Sequence, residues 1–555
     1  MLEGRGNQSN NKRNVTRLCA GARGPRYIMD DIKRSTFMFG DRRSAAAFWF
    51  GSIIVAIGVG LHVPMFLMAR DMGYMLAGMP MDAGMLAGMA LIVLGTLTAG
   101  YGLLPKGRPS FHYDGPLATI APPEDAPLTR AHWRLMLVLS AALVIDIMKP
   151  ASLGFVTPGM RMEYGINSAT VALLPFSALC GTVVGSFIWG LLADLYGRRA
   201  SILLSSVMFV GTSICGAMPS FWWNVFMCFT MGAAAGGLLP VANALLAETM
   251  PTKHRGWSLV LVGGIGAIGG YFAASALSAV LQPIFGWRIM WFLNLPTGLI
   301  LIALSPLLPE SARFLQHMGR VAEARAVLAQ FGAVAAPAAD VDEDAGGHAP
   351  LPPTGFAGTT AALTLLALSW GLVNFGLLLW LPSELVAEGN SVALSSSIIA
   401  KSTLLAAPTV LVAAWLYSVW STKGALLTMA GITALGLGAL LLRGTGLLPI
   451  LASPILSIVL LILGASGIIS MLLPYTSENY PVMVRGRATG WVAGCSKIGG
   501  LIAQALSALA LVPAIGIAAA LIALPIAIAM LLIFKFGRET RGRDLRELEL
   551  HPQKT

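Results

Sequence analysis

The sequence predicts an all-α polytopic membrane protein. Its core is a twelve-helix bundle of two pseudo-symmetric six-helix halves, and two extra transmembrane helices precede it. Three observations carry this reading. First, 56% of the 555 residues are hydrophobic and only 11% are charged, and the mean hydropathy is +0.74. Soluble domains carry about 25% charged residues, so an ordinary globular enzyme is excluded, and so is a polar, charge-rich disordered scaffold. Second, the apolar runs are each about 20 residues long, enough to cross a bilayer as helices. Third, one polar pattern occurs twice, about 230 residues apart.

The elements follow in chain order. Residues 1–44 form a basic cytoplasmic leader whose composition predicts disorder. It is not a cleavable signal, because the first apolar run comes too late; Met29 and Met38 are alternative initiators. Residues 45–104 hold the two extra helices, and 105–132 form a Pro-rich cytoplasmic linker. Residues 133–308 form the amino-terminal half, with apolar runs at 133–157, 168–190, 200–219, 222–247, 256–281 and 287–308. Residues 309–357 form a cytoplasmic central loop, read as a surface helix followed by a flexible Ala/Pro/Asp linker. The carboxy-terminal half is 358–535, with runs at 358–382, 393–418, 424–442, 447–474, 486–511 and 512–535, and 536–555 is a cytoplasmic tail.

Charge placement sets the topology. The net charge is +11, which in a soluble protein suggests nucleic acid. Here it reads as the excess of Lys and Arg that marks cytoplasmic loops. Lys106, Arg108, Arg198, Arg199, Lys253, Arg255, Arg313, Lys423, Arg485, Arg538 and Arg541 fall in alternate loops, and Arg70, Arg161, Arg288 and Arg443 in the others. The expectation is a multi-pass protein of the inner or plasma membrane with both termini cytoplasmic. The five cysteines are scattered without metal-ligand spacing. No metal site, nucleophile–base pair or nucleic-acid motif is visible, so no enzyme activity, metal, bound cofactor or nucleic-acid partner is expected.

The repeat is the most informative pattern. Glu248-Thr-Met-Pro-Thr-Lys-His-Arg255-Gly and Glu478-Asn-Tyr-Pro-Val-Met-Val-Arg485-Gly share the form E-x-x-P-x-x-x-R-G. Each follows the fourth helix of a six-helix set. Each sixth helix is followed by a related string, Glu310-Ser-Ala-Arg313 and Glu539-Thr-Arg541. Such duplicated halves are how many secondary transporters are built, with the substrate site near the midplane between them.

Gly190-Leu-Leu-Ala-Asp194-Leu-Tyr-Gly197-Arg198-Arg199 resembles the Major Facilitator Superfamily signature G-x-x-x-D-x-x-G-R-[RK], between the second and third helices of the first half. PESAR at 309–313 and ETRGR at 539–543 resemble sugar-porter motifs. Ile145-Asp146 through Pro158, Gly232 through Pro240 and Leu379-Trp380-Leu-Pro382 are similar to the metabolite:proton symporters, including aromatic-acid and niacin transporters. The resemblance covers roughly 130–548 and implies a cytoplasmic gate of Gly190, Asp194, Gly197, Arg198, Arg199, Glu248, Arg255, Glu310, Arg313, Glu478, Arg485, Glu539 and Arg541. Asp194 is expected to accept N-terminal amides of the neighbouring helix, where the macrodipole favours negative charge. The second half lacks that Asp: Tyr417-Ser-Val-Trp-Ser-Thr-Lys423-Gly424 stands in its place.

Ionisable residues inside the membrane are costly and are functional hypotheses by default. Asp146 lies near mid-span of the first repeat helix, with Lys149 at i+3 on the same face, within pairing reach. The resemblance places Asp146 on an acidic position of the subfamily pattern, which implies a proton-coupling role. Lys149 and Lys497 are expected to bind an anionic substrate, although Lys497 and Lys401 have a competing reading as interfacial, snorkelling side chains. Trp370 and Asn374, four apart, are candidates to stack on or hydrogen-bond a substrate ring, against a competing packing role for Trp370. Pro150 removes a helical donor beside the site.

The expected function is proton-coupled symport of a small organic solute, a carboxylate or aromatic acid, by alternating access. The partners are the solute, protons and membrane lipid, the energy source is the proton gradient, and the chain acts as a monomer. The alternatives are a sugar or polyol transporter, a drug or metabolite efflux antiporter, and a transporter-like membrane sensor.

Overall fold

The computed structural model describes residues 42–104, 127–332, 356–443, 453–480 and 482–541. Most of the predicted leader, the linker, the second part of the central loop and most of the tail lie outside the described residues.

Among the described residues, thirteen helices are long and apolar enough to cross a membrane. They are α1 (Arg42–Met72), α2 (Ala83–Leu103), α3 (Arg130–Tyr164), α4 (Ser168–Tyr196), α5 (Arg198–Ala217), α6 (Phe221–Thr249), α7 (Lys253–Phe285), α8 (Ile289–Leu307), α9 (Ala357–Ala387), α10 (Val392–Trp420), α11 (Thr422–Arg443), α12 (Ile455–Asn479) and α14 (Ile515–Phe536). Between α12 and α14 runs α13 (Val482–Ala508), 27 residues long. At 1.5 Å per residue it also reaches across a bilayer; Arg485, Arg487 and Lys497 dilute its apolar character. Two short helices, Ala312–His317 and Val321–Gln330, follow α8.

The duplication is visible in the packing. In the amino-terminal half the first helix pairs with the fifth (α3 with α7), the second with the fourth (α4 with α6) and the third with the sixth (α5 with α8). The carboxy-terminal half repeats this order: α9 with α13, α10 with α12, α11 with α14. Small residues permit the close approaches that van der Waals packing in lipid requires. Between the halves, α7 lies along α10 and α12, α4 along α13, and α3 along the end of α9.

The halves are pressed together at the end remote from the signature loop. A Cβ on Gly154 of α3 would sit 2.8 Å from the Leu379 carbonyl oxygen of α9. Thr157 and Ser383 hydroxyls pair at 3.0 Å. Tyr271 donates to the Leu378 carbonyl at 2.8 Å, and the hydroxyls of Ser278 and Ser396 pair at 2.8 Å.

The extra helices form a hairpin docked on the amino-terminal half, away from the interface between halves. Gly51 and Gly58 of α1 meet Gly95 and Gly88 of α2, so the backbones touch. Val55 and Val59 join Leu203, Val207 and Val210 of α5 and Ile302 of α8 in one apolar cluster. The connector is tied down by Glu163 at the end of α3, which accepts the N–H groups of Leu76 at 2.7 Å and Ala77 at 2.9 Å. Glu163 also accepts from Trp287 Nε1 and forms a 2.6 Å ion pair with fully buried Arg288. Arg288 in turn donates to the carbonyls of Gly216 and Met218. A buried carboxylate persists only when its lone pairs are satisfied in this way.

Candidate functional site

The polar network at the signature end is built from helix termini. The first amides of a helix have no partner within it. At the start of α5, Glu310 supplies one: its Oε1 accepts the N–H of Arg198 at 2.8 Å and of Arg199 at 3.3 Å, and of its neighbour Ser311 at 2.9 Å. Burial pushes the Glu310 carboxyl above the ordinary glutamate range, against the pull of these amides and the Arg199 guanidinium. Gly197 makes room for it, with φ +102° and a Cβ position only 2.5 Å from Glu310 Oε2.

Glu248, at the end of α6, accepts from the Ser311 hydroxyl and meets Arg198 Nη2 at 3.4 Å. Arg199 donates to the Ser305 carbonyl at 2.9 Å. Asp194 meets Arg198 at 3.5 Å with its side chain 74% exposed. The amide-capping role expected of Asp194 therefore falls to Glu310, because the signature carboxylate points to the surface while the chain after α8 folds back over the start of α5. Gly190 is exposed and has nothing near its Cβ position.

The second half repeats the arrangement with different chemistry. Glu539 Oε1 accepts the N–H of Thr422, the first residue of α11, at 2.9 Å and its hydroxyl at 2.7 Å. Its Oε2 accepts from the Ser421 hydroxyl. Burial raises the Glu539 carboxyl, but the hydrogen bonds from Ser421, Thr422 and the Arg541 amide outweigh it and hold the group below the ordinary range. Glu478 accepts from Thr540 at 2.6 Å and from Tyr417 at 2.8 Å. Tyr417 thus takes the place that Arg198 has beside Glu248. Arg541 donates to the Trp420 carbonyl at 3.1 Å. Arg255 of α7 interacts electrostatically with Glu478 across the halves, and Gly256 lies beside Tyr417 and Glu478. The side chains of Arg313 and Arg485 lie outside the described residues.

Sequence reasoning missed Ser311, Tyr417, Ser421, Thr422 and Thr540. The signal was present: Glu310 and Glu539 are each followed by a hydroxyl residue, Ser311 and Thr540, and Ser421-Thr422 is a helix-start pair.

At mid-span, Asp146 is 7% exposed and makes no hydrogen bond or close ion pair to another described residue. It interacts electrostatically with Lys149 of its own helix and with Lys497 of α13, in the other half. Pro150 has no N–H, so the Asp146 carbonyl also lacks its i+4 donor, although α3 continues through that proline. The close Asp146–Lys149 pair expected from the i, i+3 spacing does not form. The Lys149 ammonium lies instead against the ring of Phe209 in α5, a cation–π contact within the half. Lys497 lies 4.6 Å from the ring centre of Phe375. Lys401 is exposed.

Trp370 is buried: its Nε1 donates to the Ala465 carbonyl at 2.7 Å, and its ring stands edge-on to Phe375 at 5.5 Å. Asn374 is half-buried and sits in a π-helical turn, Val373–Leu377, that breaks the four-residue register with Trp370. Such turns frequently mark functional sites in helices. Among the described residues there is no group of three or more His, Cys, Asp or Glu able to hold a metal.

Two six-helix halves with one packing order, meeting around a buried acid, define a two-lobed membrane transporter. The chain belongs to the Major Facilitator Superfamily, whose profile matches residues 137–504. It is 25% identical over 443 residues to the niacin transporter NiaP of Acinetobacter baylyi, covering 77% of this chain and 98% of that one. It is 29% identical to the 4-hydroxybenzoate transporter PcaK of Pseudomonas aeruginosa, covering 68% and 85%. The xylose transporter XylE from E. coli, in a partially occluded inward-open conformation, shares the fold with a TM-score of 0.62 at 16% identity, covering 75% of this chain and all of that one.

Proposed function

We propose that this chain is a proton-coupled symporter that imports a small aromatic or related carboxylate by alternating access, in the inner or plasma membrane, with both termini cytoplasmic. One observation carries the reading: Asp146 is buried near mid-helix, makes no direct polar contact to another described residue, and lies within electrostatic range of Lys497 of the opposite half. Burial disfavours a charged carboxylate and a nearby cation favours it. Tilting the halves changes the Asp146–Lys497 separation, so proton affinity and lobe position are linked. An anionic solute beside Lys497 competes with Asp146 for the same ammonium, and this links solute to proton. The proton gradient then serves as energy source. The relatives named for niacin and 4-hydroxybenzoate transport support an aromatic acid.

The signature-end clusters act as the cytoplasmic gate, in which several polar contacts set a difference of a few kcal/mol between states. Lysines and arginines concentrated at that end support its cytoplasmic placement.

The test is uptake of radiolabelled nicotinate, 4-hydroxybenzoate and xylose into proteoliposomes, with and without an inward proton gradient. Gradient-driven accumulation of an aromatic acid is expected, and Asp146→Asn should abolish accumulation while retaining exchange. Undiminished accumulation by that variant, or accumulation of xylose alone, overturns the reading.

A further inference from the structure

We propose that the amino-terminal hairpin carries a binding site for a soft monovalent cation, Cu(I) in particular, with His62, Met65 and Met85 as ligands. The proposal stands on the hairpin alone and does not depend on the transport reading.

The sequence first marks the place. The stretch 65–89 holds eight of the chain's 26 methionines. Thioether sulfur is a soft ligand that selects Cu(I) over hard cations. His62 supplies the second observation. It is fully buried, and its Nδ1 lies 2.9 Å from the Gly58 carbonyl oxygen. A carbonyl can only accept, so Nδ1 carries the proton. In the neutral ring, Nε2 then presents a bare lone pair, and it has no hydrogen-bond partner. A buried acceptor without a donor is unfavourable; an apolar residue would fill the same space without that cost. A ring fixed by Nδ1–H to a backbone carbonyl, with Nε2 left bare, is the usual preparation of a metal-ligating histidine.

Geometry brings the sulfur residues to the same level. Gly88 lets the imidazole lie on the α2 backbone, its Cβ position being 2.6 Å from His62 Cε1. Met85 is three residues from Gly88 on that face, and Met65 is three residues beyond His62 on α1. Met65 is 4% exposed and Met85 is fully buried, and both belong to one cluster. Asp82, which caps the amide of Met85, interacts electrostatically with His62 and places negative charge near the cation. Met68, Met72 and Met75 are exposed at the same end of the hairpin.

The experiment titrates the purified full-length protein with Cu(I) under reducing conditions against a chromogenic Cu(I) chelator. The protein should withdraw about one Cu(I) per chain, and His62→Phe and Met65→Ile/Met85→Ile should each weaken retention by at least about tenfold. Met68→Ile/Met72→Ile/Met75→Ile should retain it. No withdrawal of Cu(I), or loss that follows the exposed triple variant instead, overturns the proposal. Should the buried variants fail to fold, X-ray absorption of the Cu(I)-loaded wild type decides. A first shell of sulfur and imidazole nitrogen supports the site, and one lacking either overturns it.

Discussion

Glu310 Oε1 accepts the backbone N–H of Arg198 at 2.8 Å, closing the start of α5 with a residue 112 positions further along the chain. This contact, and not the exposed carboxylate of the signature motif, joins the loop after α8 to the helix. Glu310→Ala should therefore lower stability by about 1–3 kcal/mol through its orphaned amides. Asp194→Asn should cost under about 1 kcal/mol, as exposed ion pairs do. Thermal unfolding of the two variants in detergent checks the order; equal losses would refute it.

The two capping glutamates should respond to pH in opposite directions. Glu310 is raised in the folded protein by burial. Its contribution is complete below the unfolded-state glutamate pKa and is lost as pH climbs through the raised folded value. Glu539 is lowered by its hydrogen bonds. Its contribution is present above the unfolded-state value and is lost as pH falls through the folded one. Hydrogen exchange at the first amides of α5 and α11, corrected for intrinsic rates, should show the α11 start loosening in acid while the α5 start tightens.

Gly197 combines φ +102° with a Cβ position 2.5 Å from Glu310 Oε2. Gly197→Ala both strains the backbone and pushes the carboxylate off its amides. A loss of at least about 1–3 kcal/mol is expected, read as a lower melting temperature. Glu310→Ala in the same chain should recover part of the loss by removing the clash.

Glu163 and Arg288 form a buried pair that also holds the hairpin connector. Arg288→Met leaves the carboxylate unpaired and should cost about 3–5 kcal/mol. Glu163→Gln keeps an oxygen for the connector amides but leaves the buried Arg288 guanidinium without its counter-ion, so it should cost a similar amount, with the loosening centred on the connector. Faster hydrogen exchange at Leu76 and Ala77, with the amides of α5 unchanged, is the expected pattern. Uniform loosening of both would show that the latch is not local.

Much of this was legible from the linear chain, for specific reasons. A span announces itself because about 20 apolar residues must match the bilayer core. The duplication is readable because Glu248 and Glu478, and Glu310 and Glu539, recur with their neighbours. The paired glutamates at the signature end were found that way, while Tyr417 was missed because a phenol standing beside Glu478 where Arg198 stands beside Glu248 leaves no matching letter. The expected close pair of Asp146 and Lys149 failed for a different reason. Spacing of i, i+3 permits contact, but Phe209 from another helix offers the ammonium a competing partner.

By itself the amino-acid sequence determined the class and the repeat, since these depend on hydrophobicity and local order along one chain. Tertiary structure alone decided which carboxylate caps which helix, that Asp146 lies within electrostatic range of Lys497, and where the extra hairpin rests. Those relations join residues far apart along the chain, and only the packing of helices brings them within reach of one another.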